Sequence, residues 1–393
     1  MSIKLSNRVN AVKPSPTLAI TARAAEMRAA GKDIIGLGAG EPDFDTPEPI
    51  KKAGIKAIND GKTKYTAVDG IAELKQAIIT KFKNDNSFDY QANQILVSCG
   101  GKQSFFNLTQ ALINPGDEVI IPAPYWVSYP DMVLLADGVP VVVETTQEQA
   151  FKITAEQLRA AITDKTRLFV INSPSNPTGV AYSFEELKAL GDVLKDYPEI
   201  IIATDDMYEH ILWERNSFVN ILNASPELYD RTMVLNGISK AYSMTGWRIG
   251  YAAGPAALIG AMRKIQSQST SNPTSISQYA AVEAISGDQS CIDTMLVEFK
   301  KRHDMVVKEL NTIDGIECMS SDGTFYVFPN VEKLINKLDG IDNDLDFAEY
   351  LIEKAGVALV PGSAFGCPGH IRISIATSME NLESALNRIK QAI

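Results

Sequence analysis

Seven short apolar runs, recurring between helical patterns, constrain this chain more than any other feature. They cover residues 95–98, 118–121, 139–143, 168–172, 200–204, 233–235 and 249–253. Amphipathic stretches such as 103–113, 184–196 and 255–267 lie between them. A sheet with one wet face would alternate apolar and polar residues. Continuous apolar runs separated by helices instead imply strands covered on both faces. The expected fold class is α/β: a large domain with a mostly parallel seven-stranded sheet sandwiched by helices.

At 393 residues the chain exceeds what one core usually organises. The texture changes near residue 287. A long helix over 290–311 is predicted, then strands over 315–318 and 324–328, a helix over 346–355, a strand over 370–375 and a terminal helix from Glu380. This pattern predicts a smaller α+β domain. A helix over 17–30 and a Gly/Pro-rich segment over 36–49 tie the two together. The predicted division is 46–289 for the large domain, with 1–45 and 290–393 forming a discontinuous small one.

A net charge of −11 argues against a nucleic-acid partner. The apolar runs are too short to span a bilayer, and the N-terminus has no apolar core of a secretory signal. The four cysteines form no CxxC pair and the three histidines no HExxH, so no metal is expected. A cytoplasmic protein without nucleic-acid or membrane partners is the expectation.

Ligands of open α/β sheets bind beyond the carboxyl ends of the strands. Run 168–172 is followed by Ser173-Pro174-Ser175-Asn176-Pro177-Thr178-Gly179. Run 200–204 leads into Asp205-Asp206-Met207-Tyr208, and run 233–235 into Asn236-Gly237-Ile238-Ser239-Lys240. Alone, each is unremarkable: a Pro/Gly turn, a capping Asp, a surface Lys. Together they place a turn, an acid and a lysine on one rim. Ser98-Cys99-Gly100-Gly101-Lys102 follows another run and opens a helix, which suits an anion, although the P-loop spacing fails. The glycines at 36, 38 and 40 do not start a dinucleotide loop, because Glu41-Pro42-Asp43-Phe44 cannot begin a helix in the required register.

Ser239-Lys240-Ala241-Tyr242-Ser243-Met244-Thr245-Gly246-Trp247-Arg248 is the most specific stretch. With Gly40-Glu41-Pro42, Lys64-Tyr65, Gly100-Gly101-Lys102, Tyr125-Trp126, the 173–179 turn, Asp205 with Tyr208, and Arg372-Ile373-Ser374, it resembles the class I aminotransferases over essentially the whole length. These are the aspartate aminotransferase family of fold-type-I pyridoxal-phosphate enzymes, and the chain is most similar to the bacterial aspartate/prephenate subgroup.

The resemblance implies pyridoxal 5′-phosphate held by Lys240 as a Schiff base, with Lys240 also moving the substrate proton. It implies Asp205 beside the ring nitrogen, a choice over Asp206 that rests on motif register alone. Asn176 and Tyr208 match the residues that bond the phenolic oxygen, and Trp126 the aromatic that stacks on the ring. Gly100, Gly101, Lys102, Ser239 and Arg248 match the phosphate side. Tyr65 matches a tyrosine that reaches the phosphate of a neighbouring subunit, which implies a homodimer with shared sites. Arg372 matches the arginine for the substrate α-carboxylate, helped by Gly40, Trp126 and Asn176. Lys102, with Lys13 as a second candidate, is expected to meet the distal carboxylate of an acidic substrate. Some family members carry a serine three residues before the Schiff-base lysine; here that position is Gly237. The implied reaction is ping-pong transamination, converting L-aspartate and 2-oxoglutarate to oxaloacetate and L-glutamate. Aromatic, alanine or prephenate aminotransferases share the scaffold, as do pyridoxal-phosphate-binding regulatory modules without turnover.

Overall fold

The computed structural model describes residues 3–14, 16–214 and 217–393. All seven apolar runs form strands: β1 (Ile95–Ser98), β2 (Glu118–Ala123), β3 (Val139–Glu144), β4 (Thr166–Asn172), β5 (Ile201–Asp205), β6 (Thr232–Gly237) and β7 (Gly250–Ala253). They make one sheet in the order β1-β7-β6-β5-β4-β2-β3. Only β7 runs against its neighbours, β1 and β6; the other pairings are parallel.

Side chains alternate across this sheet into two cores. Phe169, Ile171, Ile202 and Val234 join one, while Leu168, Val170, Ala203, Met233 and Leu235 join the other. Each fully buried Leu, Ile, Val or Phe contributes roughly 1.5–3 kcal/mol, so the central strands tolerate few polar residues. The edge strand β3 departs from the expectation of cover on both faces, because Val139 and Val142 are exposed.

The principal helices are α1 (Gly101–Leu112), α2 (Ser128–Leu135), α3 (Phe184–Lys195), α4 (Ala256–Ser267) and α5 (Ser290–Leu310). A capping box starts α3: the Ser183 hydroxyl accepts from the Glu186 amide, and the Glu186 carboxylate accepts from the Ser183 amide. In contrast, α1 begins at Gly100 without a side-chain cap.

Beyond α5, Tyr326–Val327, Val360–Pro361 and Ile371–Ser374 form a three-stranded sheet with 371–374 central. Ile35–Gly36 pairs in parallel with Val357–Ala358, tying the N-terminal segment to this region. Leu37, Phe299, Phe325, Val357, Ile373 and Leu386 share its separate core.

Two predicted strands need correction. Residues 315–318 form only a single bridge, Glu317 to Asn330. The Asn311 side chain satisfies both the amide and the carbonyl of Cys318, at 2.9 Å each, so no ladder is required there. Strand 324–328 shrinks to Tyr326–Val327 because Thr324 adopts φ +66°. The helix predicted over 346–355 is Asp344–Tyr350 continued by a π-helical turn, Leu351–Ala355. Among the described residues no helix is long and apolar enough to cross a membrane.

Candidate active site

The carboxyl ends of β4, β5 and β6 open into a cleft of ≈ 400 Å³. Of the sequence-predicted residues, Gly40, Gly101, Lys102, Trp126, Asn176, Asp205, Tyr208, Ser239, Lys240, Arg248 and Arg372 line it. Gly100 sits just behind, where an added Cβ would lie 2.3 Å from Arg248 Nη2. Lys13 and Tyr65 are not in the lining. Lys13 is exposed, with its backbone against Asp131 of α2. Tyr65 is 92% exposed, so any role it has involves something outside this chain.

Lys240 follows β6, and its amine donates to the Gly40 carbonyl. Burial pulls its pKa down to about 8. Arg372 and Arg248 act in the same direction, while Glu41 and Asp205 oppose them. An amine in this state is readily deprotonated, as a nucleophile or base requires.

Asp205 ends β5 and faces the cleft. Its Oδ2 accepts from the Tyr129 hydroxyl at 2.5 Å and its Oδ1 from the Met207 amide at 3.3 Å. Burial raises its pKa; the Tyr129 and Met207 hydrogen bonds and the Lys240 charge hold it back. Asp206 points the other way. It is buried against Thr204 Oγ1 (2.5 Å) and Asn220 Nδ2 (2.6 Å), and burial with the nearby Glu209 pushes it up to about 8. Alternation along the extended chain thus turns Asp205, and not Asp206, into the cleft.

Arg372 lies in the central strand of the small sheet and is buried. Its Nη1 donates to Asn176 Oδ1 (2.9 Å) and its Nη2 to the Gly38 carbonyl (2.7 Å). The guanidinium lies 4.4 Å from the Tyr326 ring centroid and 4.9 Å from that of Phe365. Among the described residues no carboxylate pairs with it, and its Nε is buried without a partner. A desolvated cation left unpaired is costly. The site is built to receive an anion.

A second anion position lies at the N-terminus of α1, whose first residues, Gly101 and Lys102, line the cleft. β7 presses close there: an added Cβ on Gly250 would lie 2.2 Å from Gly101 N. Arg248, at φ +58°, is held by bonds to the Thr245 carbonyl (2.8 Å) and the Cys99 carbonyl (3.2 Å). The Lys102 amine sits 5.2 Å from the Trp126 ring centroid, its pKa lowered by burial and by Arg248. Gly237 is explained by packing: an added Cβ would lie 3.1 Å from Gly250 Cα and 3.2 Å from the Ile249 carbonyl.

Sequence reasoning missed several residues. Asn172 Nδ2 donates to the Asp205 carbonyl (2.9 Å), while its Oδ1 accepts from the Asn176 amide (2.8 Å), clamping two site residues together. Its signal was its place as the last residue of the β4 run. The Tyr326 hydroxyl lies 3.0 Å from that of Tyr208, and both line the cleft. Tyr129 carried no motif signal. Outside the cleft, Asp85, Glu209 and His210 bring three possible metal-ligand atoms within 4.8 Å, but the Lys81 ammonium already pairs with Glu209.

The lysine and carboxylate, set between two anion positions on an α/β rim, define an enzyme that handles a small anionic substrate through an amine. A flat aromatic cofactor bearing a phosphate fits the same residues: Trp126 offers a face, the α1 terminus with Arg248 an anion site, and Asp205 a carboxylate. The aminotransferase class I and II family matches residues 32–389. The chain belongs to this family and is an aminotransferase.

Aspartate/prephenate aminotransferase from Nitrosomonas europaea is 62% identical over 392 residues, covering 98% of this chain and 99% of that one. Its counterpart from Cereibacter sphaeroides is 55% identical over 390 residues, covering 98% of each. The crystal structure of aspartate aminotransferase from Rhizobium meliloti superposes with a TM-score of 0.96 at 48% identity, covering 100% of this chain and 99% of that one. Aspartate aminotransferase from Thermus thermophilus with maleate gives 0.93 at 42% identity, with full coverage of both.

Proposed function

We propose that this chain transfers the amino group of L-aspartate to 2-oxoglutarate, using pyridoxal 5′-phosphate carried on Lys240. When bound, the cofactor supplies an electron sink for the charge that develops at the substrate α-carbon. Lys240 takes the proton from that carbon and delivers it to C4′ of the cofactor, a task suited to an amine with a depressed pKa. Asp205 holds a proton at the cofactor ring nitrogen. Asn176 and Tyr208 donate to the phenolic oxygen, and Trp126 packs on the ring. Gly100, Gly101, Lys102, Ser239 and Arg248 surround the phosphate.

Arg372 grips the substrate α-carboxylate, with Gly40 alongside. Lys102, with Lys13 as a second candidate, meets the distal carboxylate. The Thermus relative solved with maleate, a four-carbon dicarboxylate, supports an acidic substrate. Prephenate is a second acceptor on this reading, supported by the names of the Nitrosomonas and Cereibacter relatives.

Residues 46–289 act as the large domain, and 1–45 with 290–393 as the small one. The exposed Tyr65 completes the site of a second copy in a homodimer, and the protein works in the cytoplasm. The single observation that carries this reading is the shared cleft, where Lys240 lies with Asp205 and an unpaired, buried Arg372. Single-turnover absorbance of the cofactor-loaded protein tests it. Aspartate should convert the bound cofactor faster than alanine or phenylalanine; alanine as the fastest donor would overturn the aspartate assignment.

A further inference from the structure

We propose that Tyr129 is a positioning residue for this reaction: its hydroxyl keeps Asp205 a carboxylate and fixes which oxygen faces the cofactor. The inference rests on the functional reading above, which assigns Asp205 to the ring nitrogen.

Asp205 has two oxygens and little to compensate their burial. Among the described residues it makes no ion pair within 4.0 Å. Oδ2 is taken by Tyr129 at 2.5 Å, whereas Oδ1 has only the long 3.3 Å contact with the Met207 amide. Oδ1 is therefore the oxygen left to face a ligand. The Asp205 main chain is clamped separately by Asn172, so the Tyr129 bond governs the carboxyl group rather than the backbone.

The donor is itself fixed. Tyr129 is 1% exposed, with its ring 4.8 Å from Phe105 and 5.2 Å edge-on to Trp126 between centroids. Trp126 lies just before α2 and Tyr129 in its first turn, three residues apart, so the ring that flanks the cofactor also braces the ring that holds Asp205. The ionisable groups facing Asp205 are Tyr129 from α2, Lys240 after β6 and Tyr208 from the turn after β5. Burial and Asp205 itself keep the Tyr129 phenol protonated far above its ordinary range. It is a permanent donor at any working pH.

The test is the Tyr129→Phe variant, read by the dissociation constant for pyridoxal 5′-phosphate, its pH dependence, and the split between kcat and KM. Loss of one hydrogen bond to a charged group should weaken cofactor binding about ten- to hundredfold. Without that donor the Asp205 pKa rises further, so the acid limb of the binding profile moves to higher pH. kcat should fall while KM for aspartate holds. In an Asp205→Asn background the same substitution should cost no more than about threefold. Equal losses in both backgrounds would mean that Tyr129 acts only through packing, and would overturn the proposal. So would a single variant within about twofold of wild type with an unmoved acid limb. If the wild type binds the cofactor and Tyr129→Phe is unchanged, only the role of Tyr129 falls. If the wild type does not bind it, the functional reading falls too.

Discussion

Replacing Lys240 by methionine should make the cofactor-free protein more stable near neutral pH. Lys240 titrates at about 8 in the folded chain, against 10.5 for a free lysine. Its charged form is thus disfavoured by about 3 kcal/mol on folding. Below pH 8 the amine is charged in both states and the whole penalty applies. Between about 8 and 10.5 the unfolded chain keeps a proton that the folded chain releases, so wild-type stability rises with pH. Above that range the penalty is gone. Methionine has similar length and no charge, but it gives up the hydrogen bond to the Gly40 carbonyl, worth about 1 kcal/mol. The net expectation is a gain of about 2 kcal/mol at pH 7, shrinking to zero or reversing above pH 10.5. Denaturant unfolding of both apoproteins, from neutral to alkaline pH, measures this. A variant less stable than wild type at pH 7, or a difference that does not change with pH, would refute the claim that the Lys240 amine is held in a desolvating, cationic cleft.

Arg372→Lys keeps the charge but loses the planar fork, so kcat/KM for aspartate should drop roughly a hundredfold in steady-state assays. Lys102→Ala should narrow the preference for aspartate over alanine by about tenfold; an unchanged ratio removes Lys102 from substrate choice. Gly250→Ala forces a methyl into a 2.2 Å gap against Gly101 N, so the α1 terminus must shift. Affinity for pyridoxal 5′-phosphate, measured by absorbance titration, should fall about tenfold or more.

The central sheet was legible because its strands are buried on both faces and leave unbroken apolar runs in the sequence. The edge strand β3 kept its place but not its full cover. The small-domain strands were harder to read. A side-chain clamp at Asn311 and a left-handed Thr324 replace ladder hydrogen bonds, and neither has a periodic signature. In the site, residues at strand ends stood out by position, and the resemblance assigned their roles. Asn172 shared that strand-end signal and was passed over, whereas Tyr129 and Tyr326 did not stand out, because they act through hydrogen bonds to partners distant in sequence. Tyr129 reaches Asp205 from 76 residues away, and Tyr326 reaches Tyr208 from 118. No local pattern encodes such pairings.

Borohydride reduction of the cofactor-loaded protein, followed by peptide mass mapping, tests the central claim most directly. The pyridoxyl phosphate label should appear on the peptide containing Lys240, and should be lost from it when aspartate is added before reduction. A label on another lysine such as Lys102, or one on Lys240 that aspartate does not displace, would contradict the account.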